Sequence, residues 1–260
     1  RVLLEEGADP STQRASTPLA LRVIRAKQND ILKALLEKGV SPNAAYRGFT
    51  ALHQAARIGN VEAARLLLAA PGVVVEPEHP EYAYPLSDAI REGHLEIVEL
   101  LVEHGANVNK AGPKGHTPIV DAVSFERPEI FYFLLENGAT VHDTHPDVGW
   151  TALMSAVDRD NEELLEALLE RGADVNAQEV DDGWNALHMA ALNGNQPLLQ
   201  RLLDAGGNVN IATTNGRTLL HQAVKSDHPH LVPFLLERGH QLGVEDAQGR
   251  TPLAYAEELG

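Results

Sequence analysis

Cysteine is absent from this chain of 260 residues. That removes disulfides, thiol nucleophiles and cysteine-ligated metals from its possible chemistry. Long hydrophobic runs are absent as well. The longest, Leu66 to Val75, is broken by Pro71-Gly72 and is too short to span a bilayer. No secretory signal pattern is visible, and no Pro/Gly/Ser-rich linker divides the chain. Basic residues are few: 21 Lys and Arg stand against 37 Asp and Glu, a net charge of −16. Nucleic-acid binding draws its affinity from cationic side chains at phosphates. With no basic run present, nucleic acid and anionic membranes are poor partners, and a basic or neutral partner fits. The same charge also serves to keep a long chain soluble. There is no Gly-Lys pair, no His-Glu-x-x-His helix and no Gly-x-Ser-x-Gly elbow, so the common signatures of phosphate cradling, zinc hydrolysis and serine hydrolysis are missing. No cofactor, metal or catalytic set is expected. The setting this suggests is intracellular, cytoplasmic or nuclear.

What the chain does have is a period. The signatures Thr17-Pro18-Leu19-Ala20, Thr50-Ala51-Leu52-His53, Tyr84-Pro85-Leu86-Ser87, Thr117-Pro118-Ile119-Val120, Thr151-Ala152-Leu153-Met154, Asn185-Ala186-Leu187-His188, Thr218-Leu219-Leu220-His221 and Thr251-Pro252-Leu253-Ala254 recur at steps of 33 or 34 residues. A second signature, as in Leu168-Leu169-Glu170-Arg171-Gly172-Ala173-Asp174, runs in phase with the first. Such self-similarity specifies a stacked array in which each unit touches its neighbours. Within a unit, Thr50 is placed to cap a short helix carrying Leu52, Ala55 and Ala56 on one face. Gly59-Asn60 stops that helix, and Val61, Ala64, Leu67 and Leu68 form the apolar stripe of a second. Neither helix is long enough to hold alone in water, so the pairs must pack on one another.

These motifs resemble the ankyrin repeat. Asp182 to Asn195 is similar to that family's first-helix consensus, and Leu100 to Asn109 to its second-helix-to-turn consensus. The resemblance covers essentially residues 1–260. It implies an all-α fold with short β-hairpin fingers, an ankyrin-repeat α-solenoid with a concave groove. A single array is expected: a partial unit at 1–9, full units at 10–43, 44–77, 78–110, 111–144, 145–178, 179–211 and 212–244, and a partial unit at 245–260. The chain opens inside a unit, as a segment of a longer protein would. In this family the fourth-position His, here His53, His188 and His221, bonds locally between finger and helix.

In ankyrin repeats the residue before the signature lies on the finger and often meets partners. That column reads Ser16, Phe49, Ala83, His116, Trp150, Trp184, Arg217 and Arg250, and it contains both tryptophans of the chain. Trp suits an interface because it supplies a large rigid surface and one donor. Asp147, Asp158, Asp160, Asp181 and Asp182 fall near the tryptophans, with Arg159 among them and Phe125 and Tyr82 as further aromatic candidates. Acids around aromatics suit Lys or Arg side chains, through ion pairs and cation–π contact. Two readings of the Trp pair stay open: a partner platform, or rings that cover the finger–helix junction.

Other clusters are weaker. His142, Asp143, His145 and Asp147 supply four potential ligands, but neighbours in an extended finger point apart, so a solvated finger is expected. Ser155, Asp158 and His188 lie on adjacent units without a pattern that specifies catalysis. In the seventh unit, Pro233 falls within the expected second helix and should kink it. In the third, residues 78–84 should form a distorted finger. The function these readings favour is a monomeric, non-catalytic scaffold that binds another protein or a basic peptide segment. The alternative is a targeting segment of a larger enzyme or channel.

Overall fold

The computed structural model describes residues 17–78, 83–142 and 149–259. They form two compact bodies, divided between Ala139 and Thr140. In the first lie α1 (Leu19–Arg25), α2 (Asn29–Glu37), β1 (Ala45–Tyr46), β2 (Phe49–Thr50), α3 (Ala51–Ile58), α4 (Val61–Leu68), α5 (Pro85–Glu92), α6 (Leu95–Glu103), α7 (Pro118–Ser124) and α8 (Pro128–Glu136). In the second lie α9 (Ala152–Asp158), α10 (Glu162–Glu170), α11 (Ala186–Leu192), α12 (Gln196–Asp204), α13 (Leu219–Lys225), α14 (Leu231–Glu237) and α15 (Pro252–Leu259).

Each body is an α-solenoid. In the first, the leading helices α1, α3, α5 and α7 pack in sequence order, as do the second helices α2, α4, α6 and α8. In the second, α9, α11, α13 and α15 do the same. Close approach of the leading helices follows from their alanines: Ala51, Ala55, Ala56, Ala89, Ala122, Ala152, Ala156, Ala186 and Ala190 are all buried. The second helices bring the bulk, with Leu32, Leu67, Ile97, Phe131 and Leu134 in the first body and Leu165, Leu168, Leu199 and Leu235 in the second. Each such side chain contributes about 1.5–3 kcal/mol by leaving water.

Polar staples fix the register between units. Asn43 Nδ2 donates to the Gly72 carbonyl at 2.8 Å and Asn109 Nδ2 to that of Gly138 at 3.0 Å. Asn176 and Asn210 repeat the bond to Gly206 and Gly239. The acceptors are carbonyls just past a helix end, where no intrahelical partner exists.

The fingers are smaller than the expectation of β-hairpins throughout. Among the described residues only β1 and β2 form a ladder, pairing Ala45 with Thr50 and Tyr46 with Phe49. Arg47 and Gly48 turn it with φ of 53° and 89°, both left-handed as a tight two-residue turn requires. Four later fingers close with a backbone bond, from Gly112 N–H to His116, Glu179 N–H to Trp184, Thr213 N–H to Arg217 and Asp246 N–H to Arg250, and the third of these adds an isolated bridge between Ala212 and Thr218.

Pro233 does not kink a helix. The chain turns twice through Pro229 and His230, so α14 begins only at Leu231 and Pro233 sits in its first turn. An N–H there has no intrahelical partner to lose. Arg127-Pro128 behaves similarly: Glu126 takes the left-handed position at φ 54°, and Pro128 opens α8. Of the distorted finger at 78–84, residues 79–82 lie outside the described residues.

Candidate functional site

The signature histidines are structural. His53 is buried at 1% exposure. Its Nδ1 meets the Thr50 hydroxyl at 2.7 Å and accepts from the Thr50 N–H, and its Nε2 donates to the Ala83 carbonyl of the next unit at 2.7 Å. His221 repeats this with Thr218 and the Arg250 carbonyl. His188 differs in part: its Nε2 donates to the Arg217 carbonyl at 3.2 Å, its Nδ1 lies 2.7 Å from the Asn185 side-chain amide, and its backbone N–H donates to Asn185 Oδ1. Burial pushes His188 down to about 4, so this ring is neutral at physiological pH. The resemblance implied a local bond between finger and helix; each Nε2 reaches the carbonyl just before the next unit's signature.

The acidic and tryptophan candidates gather in the second body. Trp150 and Trp184 are half-buried, while Asp158, Arg159, Asp160, Asp181 and Asp182 are exposed. Each ring is held by its own unit. Trp150 Nε1 donates to the buried Ser155 hydroxyl at 2.8 Å, and Trp184 lies 5.9 Å from the His188 ring. A tight backbone approach seats them. Gly149 has φ 68°, and a Cβ there would come within 2.9 Å of the Gln178 carbonyl on the next finger. That next finger is wound around Glu179, whose carboxylate accepts from the N–H groups of Asp181, Asp182 and Trp184. Burial would raise this carboxyl, but those N–H groups together hold it below the usual range. The finger tip is therefore ordered with both Asp181 and Asp182 left to solvent. Arg159 reaches Asp158 at 3.8 Å, and Asn195 donates to Asp160 at 3.1 Å.

Phe49, His116 and Phe125 belong to the first body. Phe49 and His116 line one pocket of about 170 Å³, together with Arg57, Asp88, Arg91 and Lys114. Arg57 stacks over Phe49 at 4.6 Å, and Arg91 over the exposed Phe125 at 5.6 Å. Beneath them Asp121 is fully buried, with Arg91 at 3.4 Å and His116 Nδ1 at 3.6 Å from its Oδ1. Burial pushes the Asp88 carboxyl up to about 7, against the pull of Arg57 and Arg91. Asp88 and Asp121 were not candidates from sequence. The available signal was their shared place, one residue after the signature, where other units carry Leu21, Gln54, Ser155, Met189, Gln222 and Tyr255. Tyr82 and Asp147 lie outside the described residues.

A further polar cluster escaped sequence reasoning. Buried Asp246 accepts from the Tyr255 hydroxyl at 2.8 Å and from Arg250, and Arg217 donates to the same hydroxyl at 3.1 Å. Burial would raise the Asp246 carboxyl, but its bonds to Arg250 and Tyr255 hold it far below the usual range. This ties the last finger to α15. Ser155, Asp158 and His188 have separate partners: the Ser155 hydroxyl takes the Trp150 donor, Asp158 is exposed beside Arg159, and both His188 nitrogens are engaged. Of the His142 to Asp147 cluster, only His142 is described, and among the described residues no three acids or histidines converge as metal ligands. No helix among them is long and apolar enough to cross a membrane.

Known proteins share this pattern. The putative ankyrin repeat protein FPV014 of Fowlpox virus is 35% identical over 112 residues, which is 42% of this chain and 25% of that protein. NF-kappa-B inhibitor alpha of Sus scrofa is 36% identical over 110 residues, covering 37% of this chain and 32% of its own. The chain thus spans about a quarter to a third of these curated relatives. Among solved structures, the ankyrin repeat domain of Bcl-3, described as a unique member of the IkappaB protein family, superposes with a TM-score of 0.66 at 30% identity. It covers 79% of this chain and 92% of that one. The family described as Ankyrin repeats (3 copies) matches residues 1–79, 70–145, 86–179, 141–213 and 187–260. With those matches running its whole length, and with leading helices packed in sequence order within each body, the chain belongs to the ankyrin repeat family.

Proposed function

We propose that this chain is a non-catalytic protein-docking module, monomeric and intracellular, whose finger and first-helix surface in residues 140–260 takes a basic segment of a partner. The observation that carries this is the exposure of Asp158 and Asp160 in the same unit as half-buried Trp150, and of Asp181 and Asp182 in the same unit as half-buried Trp184. Residues 140–260 hold 7 basic and 19 acidic side chains, so a Lys- or Arg-rich segment is drawn there over about a Debye length of 8 Å. Once seated, its cations meet carboxylates and ring faces together. The backbone-bonded Glu179 finger presents its acids already ordered, which lowers the entropy lost on binding. The relative named as an inhibitor of NF-kappa-B is, by that name, a protein that acts on another factor.

Calorimetric titration with an Arg/Lys-rich peptide tests this. The Trp150→Ala/Trp184→Ala double variant should weaken binding by about 30-fold, the loss of one good hot spot, and rising salt should weaken it further. Binding that survives the double substitution and ignores salt overturns the reading. A second reading, a targeting segment of a larger enzyme or channel, is favoured by the length of the curated relatives, of which this chain covers 25% and 32%. The full open reading frame decides it.

A further inference from the structure

The pocket in the first body points the other way in charge. Its walls are Phe49, Arg57, Asp88, Arg91, Lys114 and His116. Arg91 and His116 are both turned toward the buried Asp121 carboxylate, so that acid is offset. Arg57 and Lys114 have no carboxylate within ion-pair distance among the described residues, and Arg57 lies flat on the Phe49 ring instead. Asp88 likewise has no ion-pair or side-chain hydrogen-bond partner among them. Two unpaired cations therefore face one unpaired, half-buried acid. At about 170 Å³ the space holds roughly five waters. It is smaller than the few hundred Å³ typical of a small-molecule site, and suits the head of one side chain.

We propose that this pocket is a docking socket for a glutamate or aspartate side chain of a partner protein, and that it takes up a proton at Asp88 when the carboxylate enters. The incoming carboxylate accepts from Arg57 and Lys114 while its methylenes lie against Phe49. The protonated Asp88 then donates its O–H to the carboxylate, whereas an ionised Asp88 repels it. The charged groups facing Asp88 are Arg57 of α3, Arg91 and Glu92 of α5, Asp121 of α7, and His116 and Lys114 of the finger before α7. Burial already brings Asp88 to about 7, so the free socket is poised to take up the proton near neutrality. This site belongs to the first body and the tryptophans to the second, and the chain's net charge of −16 repels acidic peptides in general. Capture of one is therefore a local property of the socket.

The test uses a fluorescent Glu-containing peptide, with Gln- and Lys-substituted versions as controls, titrated by anisotropy between pH 6 and pH 8. If only the protonated socket binds, affinity for the Glu peptide rises about tenfold from pH 8 to pH 6. Asp88→Asn should hold the tight affinity across that range, and Arg57→Gln should lose most of it. Thermal melts of both variants confirm that they remain folded. The proposal is overturned by any of four results: no preference for Glu over Gln at pH 6, preference for the Lys peptide, affinity that rises with pH, or a pH slope that persists in Asp88→Asn but vanishes in His116→Gln.

Discussion

His188 lies in the second body with 1% of its surface exposed, and burial pushes it from 6.5 to about 4. The unfolded chain binds a proton near pH 6.5 and the folded one does not until about pH 4. Folded stability is therefore fully present above pH 6.5 and falls as the solution is acidified toward 4. Linkage with those two values makes the loss about 2 kcal/mol at pH 5, relative to pH 8. His240, buried beside the Gln241 carbonyl and also pushed down to about 4, adds a similar loss. Both tryptophans lie in the same body, so urea unfolding followed by Trp fluorescence reads this body directly. Wild type should lose about 4 kcal/mol between pH 8 and pH 5, a large share of a typical stability of 5–15 kcal/mol. His188→Gln keeps a polar side chain of similar reach and does not titrate, so the variant should lose about half as much. Equal acid sensitivity in wild type and His188→Gln, or an NMR titration of His188 near pH 6.5, would refute the reasoning.

The first body should respond to acid in the opposite sense. The Asp88 carboxyl is raised from 3.8 to about 7, so its ionised form opposes folding as pH rises through that window. Asp88→Asn should stabilise α5 and α7 at pH 8 by about 1–2 kcal/mol after solvent screening, with the gain fading toward pH 4 in amide hydrogen exchange. Phe131 is wholly buried and its neighbour Tyr132 is 38% exposed. Phe131→Ala should cost about 3–5 kcal/mol and Tyr132→Ala under about 1 kcal/mol, measured by urea unfolding; similar costs would contradict the assigned helix face. Trp150→Phe removes the donor to Ser155 while keeping a ring, and should lower stability by about 1 kcal/mol. No change would mean that this bond contributes nothing.

Repeat identity, helix order and most of the core were legible in the sequence because they rest on local rules. The signature Thr or Asn caps a helix, alanine allows close packing, and leucines three and four apart make one face. Thr50, Ala55 and Leu67 occupy the places those rules assign them. Pro233 was misread because the helix start depended on a turn through Pro229 and His230 that the repeat pattern does not specify. The site was less legible. Trp150 and Trp184 stood out by type and column, but their half-burial depends on the Ser155 donor bond and on Gly149 pressing against the next finger. Asp88 looked like an ordinary helix residue.

Composition and periodicity alone were enough to establish stacked helix pairs with a strongly acidic surface, since capping, spacing and net charge are properties of neighbouring residues or of simple sums. Which side chains meet was decided by the stacking itself. Arg91 reaches Asp121 and His53 reaches the Ala83 carbonyl across about thirty residues. Asp88 differs from the chain's exposed acids because desolvation is imposed by the helices and finger packed around it. Burial, and the proton affinities that burial creates, do not exist until the units lie against one another.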